Sequence, residues 1–151
     1  YPNVTPGVAA NMVRGGELRV GAYGDSAALP IRAIRPLADA ADVLTNYTHA
    51  PGYSPRRAKR LAPFTMASAD SPGQALEYQE QGFRTFRVSP NYTPRDDGTR
   101  LVSDLLPGER QCPKTLDHSV TCIACGICDG NRRGIAAHIA APVHGRGAAH
   151  L

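Results

Sequence analysis

The chain has 151 residues, a formal net charge of +4, 42% hydrophobic residues and four cysteines, which is room for one domain of ordinary size with a real core. Its apolar runs are short and broken by Gly, Pro or charge, which excludes a predicted membrane span, and nothing at its start has the form of a signal peptide. A cytoplasmic protein is expected, in a reducing compartment that suits clustered thiols.

The first predicted element is a helix. Thr5-Pro6 places an N-cap residue before a proline at the first helical position, GVAANMVR follows, and Gly15-Gly16 stops it. A strand is predicted from Leu18 to Tyr23, then a helix from Pro30 to about Ala41 that Pro36 kinks or shortens. Val43 to Tyr47 reads as the second strand. The basic stretch SPRRAKRL, with Arg56, Arg57, Lys59 and Arg60, reads as a solvated loop face, and a nucleic-acid contact is the alternative. No aromatic residues interleave with it as they do in single-strand binders. Phe64 to Ala69 is the third strand. Ser71-Pro72 repeats the capping device, with Gln74 at the capping-box position and Gly82 as the stop. Phe83 to Val88 is the fourth strand, and Ile135 to Val143 the last.

Strands alternating with helices at intervals of about twenty residues argue for an α/β fold of parallel βα units. The expected architecture is a partial β/α barrel or an open sheet with a cysteine-rich metal-binding loop. A βα region fills residues 1–90, a long polar excursion runs through 91–130, and a final strand and tail occupy 131–151. Loops of that length are usually functional or held by something, and a metal would hold this one.

All four cysteines, Cys112, Cys122, Cys125 and Cys128, fall in QCPKTLDHSVTCIACGICDG. Structural cysteines would be scattered among the apolar segments, so these read as a ligand set. The C-x2-C-x2-C run fits disulfide geometry poorly. It matches the loop that wraps three corners of a cubane cluster, with a remote cysteine as the fourth ligand. Ala124 and Gly126 allow the backbone to approach cluster sulfurs. A [4Fe–4S] cluster is the first expectation. A four-cysteine zinc site, with His118 able to replace one ligand, is the alternative. Either metal would also serve as a plain staple for the loop.

Most predicted strands end on a polar residue: Asp25 after GAYG, His49 after NYT, Asp70 after MASA, Arg87 in FRTFRV and His144 after APV. Carboxyl ends of parallel strands form the ligand-binding face of α/β folds. On neighbouring strands these five would ring one cleft suited to proton transfer or an anionic substrate. Asp70 in ADSPGQ also suits a turn, and His49 a structural hydrogen bond. Arg87 on a core strand requires a buried anionic partner or a bound anion.

The segments LRVGAYGDSAALP, NYTHA, TMASADSPGQAL, GFRTFRVS, QCPK…TCIACGICDG and APVHG resemble, in this order, a family found in bacteriophages and in bacteria carrying related elements. That family resembles phage proteins with a partial β/α barrel of the radical S-adenosylmethionine type. The resemblance implies an iron–sulfur cluster and redox or radical chemistry on a nucleotide-like or phosphate-bearing substrate. It also implies a location in the cytoplasm of a phage-infected or prophage-bearing bacterium. Members carry a further cysteine-rich segment upstream of the point where this chain begins, at Tyr1 rather than methionine, so the chain is expected to be a C-terminal part. Four cysteines here would close their own cluster, as auxiliary clusters do. The chain departs from the family pattern at Lys114-Thr115 and at Val143-His144-Gly145. The rival expectation is a zinc-stapled module that binds nucleic acid or acts as an accessory without catalysis.

Overall fold

The computed structural model describes residues 4–22, 24–50, 54–135 and 137–143. Helix α1 (Pro6–Val13) starts where Thr5 Oγ1 accepts from the Val8 amide at 3.4 Å, with proline in the first turn. Gly15, at φ +69°, turns the chain into strand β1 (Glu17–Val20). A 3-10 turn at Ser26–Ala28 leads to α2 (Ile31–Ala40). This helix continues past Pro36, where shortening or a kink was expected. It buries Ile31, Ile34 and Ala38 along one face, and that packing holds a helix missing one backbone hydrogen bond.

Strand β2 (Val43–Thr48) follows, and then α3 (Pro55–Leu61), in the stretch expected to be a loop. The physical reason is the same Ser-Pro device seen elsewhere: Ser54 Oγ accepts from the Arg57 amide at 3.3 Å, and Pro55 occupies the first turn. Leu61 and Ala58 then reach the core, while Arg57 donates to the carbonyl of Leu29 at 3.1 Å and to that of Ala27. A 3-10 turn at Ala62–Phe64, strand β3 (Met66–Ala69), helix α4 (Pro72–Glu80) and strand β4 (Thr85–Ser89) complete the regular part. The polar excursion holds more structure than its composition indicates. Strands β5 (Tyr92–Pro94) and β6 (Arg100–Val102) form an antiparallel hairpin, and β7 (Glu109–Gln111) joins the main sheet. Short helices α5 (Pro113–Leu116) and α6 (Cys122–Cys125) precede strand β8 (His138–Pro142).

The main sheet is parallel, with strand order β1-β2-β3-β4-β8-β7. Among the described residues no helix is long and apolar enough to cross a membrane. One sheet face packs against the helices. Leu44 from β2 and Ala67 and Ala69 from β3 meet Ile34, Ala38, Leu61 and Ala75 there. Strand alternation sends Thr45, Tyr47, Ser68, Phe86 and Val88 to the opposite face.

The cysteine segment is tied to the sheet by buried charge. Asp129 is fully buried, 3.3 Å from Arg84 and 3.4 Å from Arg133. Arg84, immediately before β4, also donates to the carbonyls of Ala137 at 2.8 Å and Gly130 at 2.6 Å. Burial outweighs the guanidinium charges and holds the Asp129 carboxyl above its usual range. Gly130 passes so close to β3 that a Cβ would stand 2.4 Å from the Thr65 amide nitrogen, and its φ is +72°. Arg132 and Arg133 then donate to the carbonyls of Ala41 and Asp42, just past the C-terminal end of α2. A buried pair of this kind adds little net stability, whereas removing one member strands the other charge. Asp129→Ala is therefore expected to cost about 3–5 kcal/mol in urea unfolding, against a much smaller loss for alanine at the exposed Asp96.

Candidate functional site

Two chain segments bring the four cysteines together. Cys112 directly follows β7; its amide donates to the Ala140 carbonyl at 2.7 Å, and its own carbonyl accepts from the Thr115 amide at 2.9 Å. Cys122 and Cys125 lie on α6, where Thr121 Oγ1 accepts from the Ala124 amide at 3.1 Å. Gly126 ends that helix in the left-handed region at φ +58°, which turns the chain back toward Cys128. The Cys128 carbonyl accepts from the Asn46 amide of β2 at 3.3 Å. All four are free thiols.

Together they line one cavity of about 120 Å³, whose sheet side is Thr45, Tyr47, Phe86 and Ala141. Tyr47 and Phe86 meet edge to face at 5.2 Å. Among the described residues no three His, Cys, Asp or Glu side chains are gathered tightly enough to hold a single metal ion. Burial raises the Cys112 thiol and pushes Cys128 up to about 12, despite the Tyr47 hydroxyl hydrogen-bonding to Cys128. The same burial, together with the neighbouring thiols, raises Tyr47. Burial thus favours the neutral thiol at Cys112 and Cys128. His118 does not join them; it lines a different hollow with Lys114 and Thr115.

Beside this cavity, on the same sheet face, opens a cleft of about 800 Å³. Asp25, His49 and Asp70 line it, as do Arg19 and the cysteine loop through Cys122 and Ile123. Three of the five strand-end residues therefore share one space. Their roles differ. Asp25 is bound on both oxygens: Oδ1 accepts from Thr48 Oγ1 at 2.5 Å and the Ala27 amide at 2.8 Å, and Oδ2 from the His49 amide at 2.8 Å. Burial pushes its pKa up, but these bonds outweigh burial and leave it below the usual carboxylate range. It is an ionised staple joining the loop after β1 to the end of β2. His49 and Asp70 are exposed. Asp70 donates its amide to Gln74 Oε1 at 2.7 Å while Ser71 caps α4, so its carboxylate is left to the cleft.

Arg87 lies elsewhere. It is 1% exposed on the sheet face opposite Phe86 and Val88. Its guanidinium forms a two-pronged pair with Glu109 at 2.9 and 2.7 Å and reaches the Asp104 carboxylate at 3.1 Å. The anionic partner it requires is thus internal, and Arg87 holds β4 to the edge strand β7. His144 lies outside the described residues. Tyr47, Phe86, Arg19 and Ile123 were not singled out from the sequence. The alternation in VLTNYT, with Thr45 and Tyr47 sharing a face, was the one signal available for Tyr47.

The chain was compared with known protein families, with curated proteins and with solved structures, and it matches none of them.

Because Asp25 has a depressed folded-state pKa, its contribution to stability is complete above the ordinary aspartate range and is lost as pH falls through the lower folded value. Asp25→Asn is expected to cost about 1–3 kcal/mol at neutral pH. That difference from the parent protein should shrink at strongly acidic pH, which urea unfolding at both pH values would read.

Proposed function

We propose that Cys112, Cys122, Cys125 and Cys128 hold a [4Fe–4S] cluster against the open face of a parallel α/β sheet. The neighbouring cleft then receives the substrate of a redox reaction. The observation that carries this reading is the convergence of four free thiols, from two separate segments, on a single cavity. The donor set is uniformly soft sulfur, as such clusters require. The sequence spacing is the ground for preferring a cluster: a C-x2-C-x2-C run with one remote cysteine is the pattern that wraps a cubane, whereas zinc ribbons use two separated C-x2-C pairs. Four cysteine ligands would leave no iron open to a further ligand, and the group would supply one-electron transfer when bound.

The chain's own residues give the rest of the site. Tyr47 reaches Cys128 with its hydroxyl and walls both the cavity and the cleft. Cys122 belongs to both spaces, so a substrate in the cleft lies against the ligand loop itself. His49 and Asp70 present proton-transferring groups to that space, Asp25 positions the backbone of His49, and among the described residues Arg19 offers the one guanidinium lining it. The sequence resemblance is what points to a phosphate-bearing or nucleotide-like substrate and to a β/α-barrel-like protein of the phage type; the cleft itself sets Arg19 among the carboxylates of Glu17, Asp25 and Asp70.

Protein purified without oxygen is expected to be brown, with broad absorption near about 400 nm and about four irons and four sulfides per chain. Cys125→Ser and Cys128→Ser should each remove most of that iron. Colourless protein with one equivalent of zinc, lost on the same substitutions, would replace this reading with a zinc-stapled module.

A further inference from the structure

A separate hollow of about 320 Å³ adjoins the cysteine cavity, lined by Thr99, Arg100, Lys114, Thr115, His118 and Pro142 among others. Its cationic and titratable groups come from three places: Arg100 from β6, Lys114 from α5 and His118 from the loop beyond. Among the described residues no carboxylate lines it. Lys114 and His118 are exposed and, among the described residues, take part in no ion pair. Arg100 is held in place. Its guanidinium lies over the Tyr92 ring at 4.7 Å, and Nη1 donates to the Val143 carbonyl at 2.7 Å.

The carboxylates nearest in sequence are turned onto their own backbones. Asp97 Oδ1 accepts from the Thr99 amide at 2.9 Å and from Thr99 Oγ1 at 2.5 Å. Asp117 Oδ1 accepts from the Ser119 amide at 2.9 Å and from Ser119 Oγ at 2.6 Å, although it still feels the charge of His118. Three solvated side chains around a surface dent would be the plain reading. It does not account for a guanidinium fixed by an aromatic ring at the rim of a hollow that no described carboxylate lines. A planar guanidinium offers directional N–H donors to a phosphate, and an ammonium adds a point charge.

We propose that this hollow binds the phosphate group of a small phosphate-bearing molecule. Lys114 and Thr115 line both the hollow and the cysteine cavity, so the bound anion lies directly beside the thiol cluster. The site uses none of the four cysteines and stands whether they hold iron or zinc.

Equilibrium dialysis of the full chain against radiolabelled pyrophosphate, at ionic strength held constant with sodium chloride, tests it; constant salt removes the general response of surface charge. Saturable binding of one pyrophosphate per chain is expected, weakened at least about tenfold in Lys114→Gln/His118→Gln. These two exposed side chains can be replaced without touching the core, and circular dichroism checks that the fold is intact. Arg100→Lys, which keeps charge and loses the planar fork, should weaken binding severalfold. Absence of saturable binding below about 10 mM, or equal binding by the double variant, overturns the proposal. Iron measured on the same sample separates that failure from failure of the cluster reading.

Discussion

The buried carboxylate of Asp129 is the constraint on which the arrangement of the cysteine segment depends. It sits directly after Cys128 and reaches two arginines, one just before β4 and one four residues further along its own loop. Through Arg84 the loop is fastened to the carbonyls of Gly130 and Ala137, and through Gly130 it fits against the start of β3 with no room for a side chain. A long polar loop would ordinarily pay its ordering entropy with little apolar burial in return. Here hydrogen bonds and charge take over that task, and the thiols inherit a defined position on the sheet.

A division of labour between the two sheet faces follows. The helix side carries the apolar core and, at its far end, the Arg87–Glu109–Asp104 ion pairs that secure β7. The opposite side carries Tyr47, Phe86, the thiols and the cleft. Arg87 and Phe86 are sequence neighbours with opposite assignments, which is the period of two of a β-strand at work. The Arg87 ion pairs thus stay out of the cleft, where the structural charge is the ionised staple Asp25.

Much of the βα pattern was legible because local chemistry marks it. Thr5-Pro6 and Ser71-Pro72 signal helix starts, and the short apolar runs match β1, β2, β3, β4 and β8 to within a few residues. Ser54-Pro55 carries the same signal, yet the density of Arg and Lys around it masked α3. Strand β7 was illegible for a different reason. Its residues, Glu-Arg-Gln, show no apolar alternation; they form a strand by pairing with β8, and Glu109 also finds Arg87 across the sheet. Strand alternation turned Arg87 away from the cleft, and Glu109 and Asp104 then supply its counter-charge; no single-sequence pattern announces such partners. Asp25, His49 and Asp70 met as expected, since they follow adjacent parallel strands. The gathering of the cysteines on one cavity was visible in their spacing, whereas the sheet residues that face them were not.

The position of β8 has a consequence for how the chain assembles. Among the described residues it is the last strand in sequence, yet it lies inside the sheet, between β4 and β7. During synthesis from the N-terminus, β1 to β4 can associate as each emerges. Strand β7 has no neighbour to pair with until β8 has left the ribosome and inserted beside β4. Until then Cys112, whose amide bonds to Ala140 of β8, has no fixed place opposite the other thiols. Formation of the thiol cavity is therefore tied to the insertion of β8 into the sheet rather than to the appearance of the cysteines themselves.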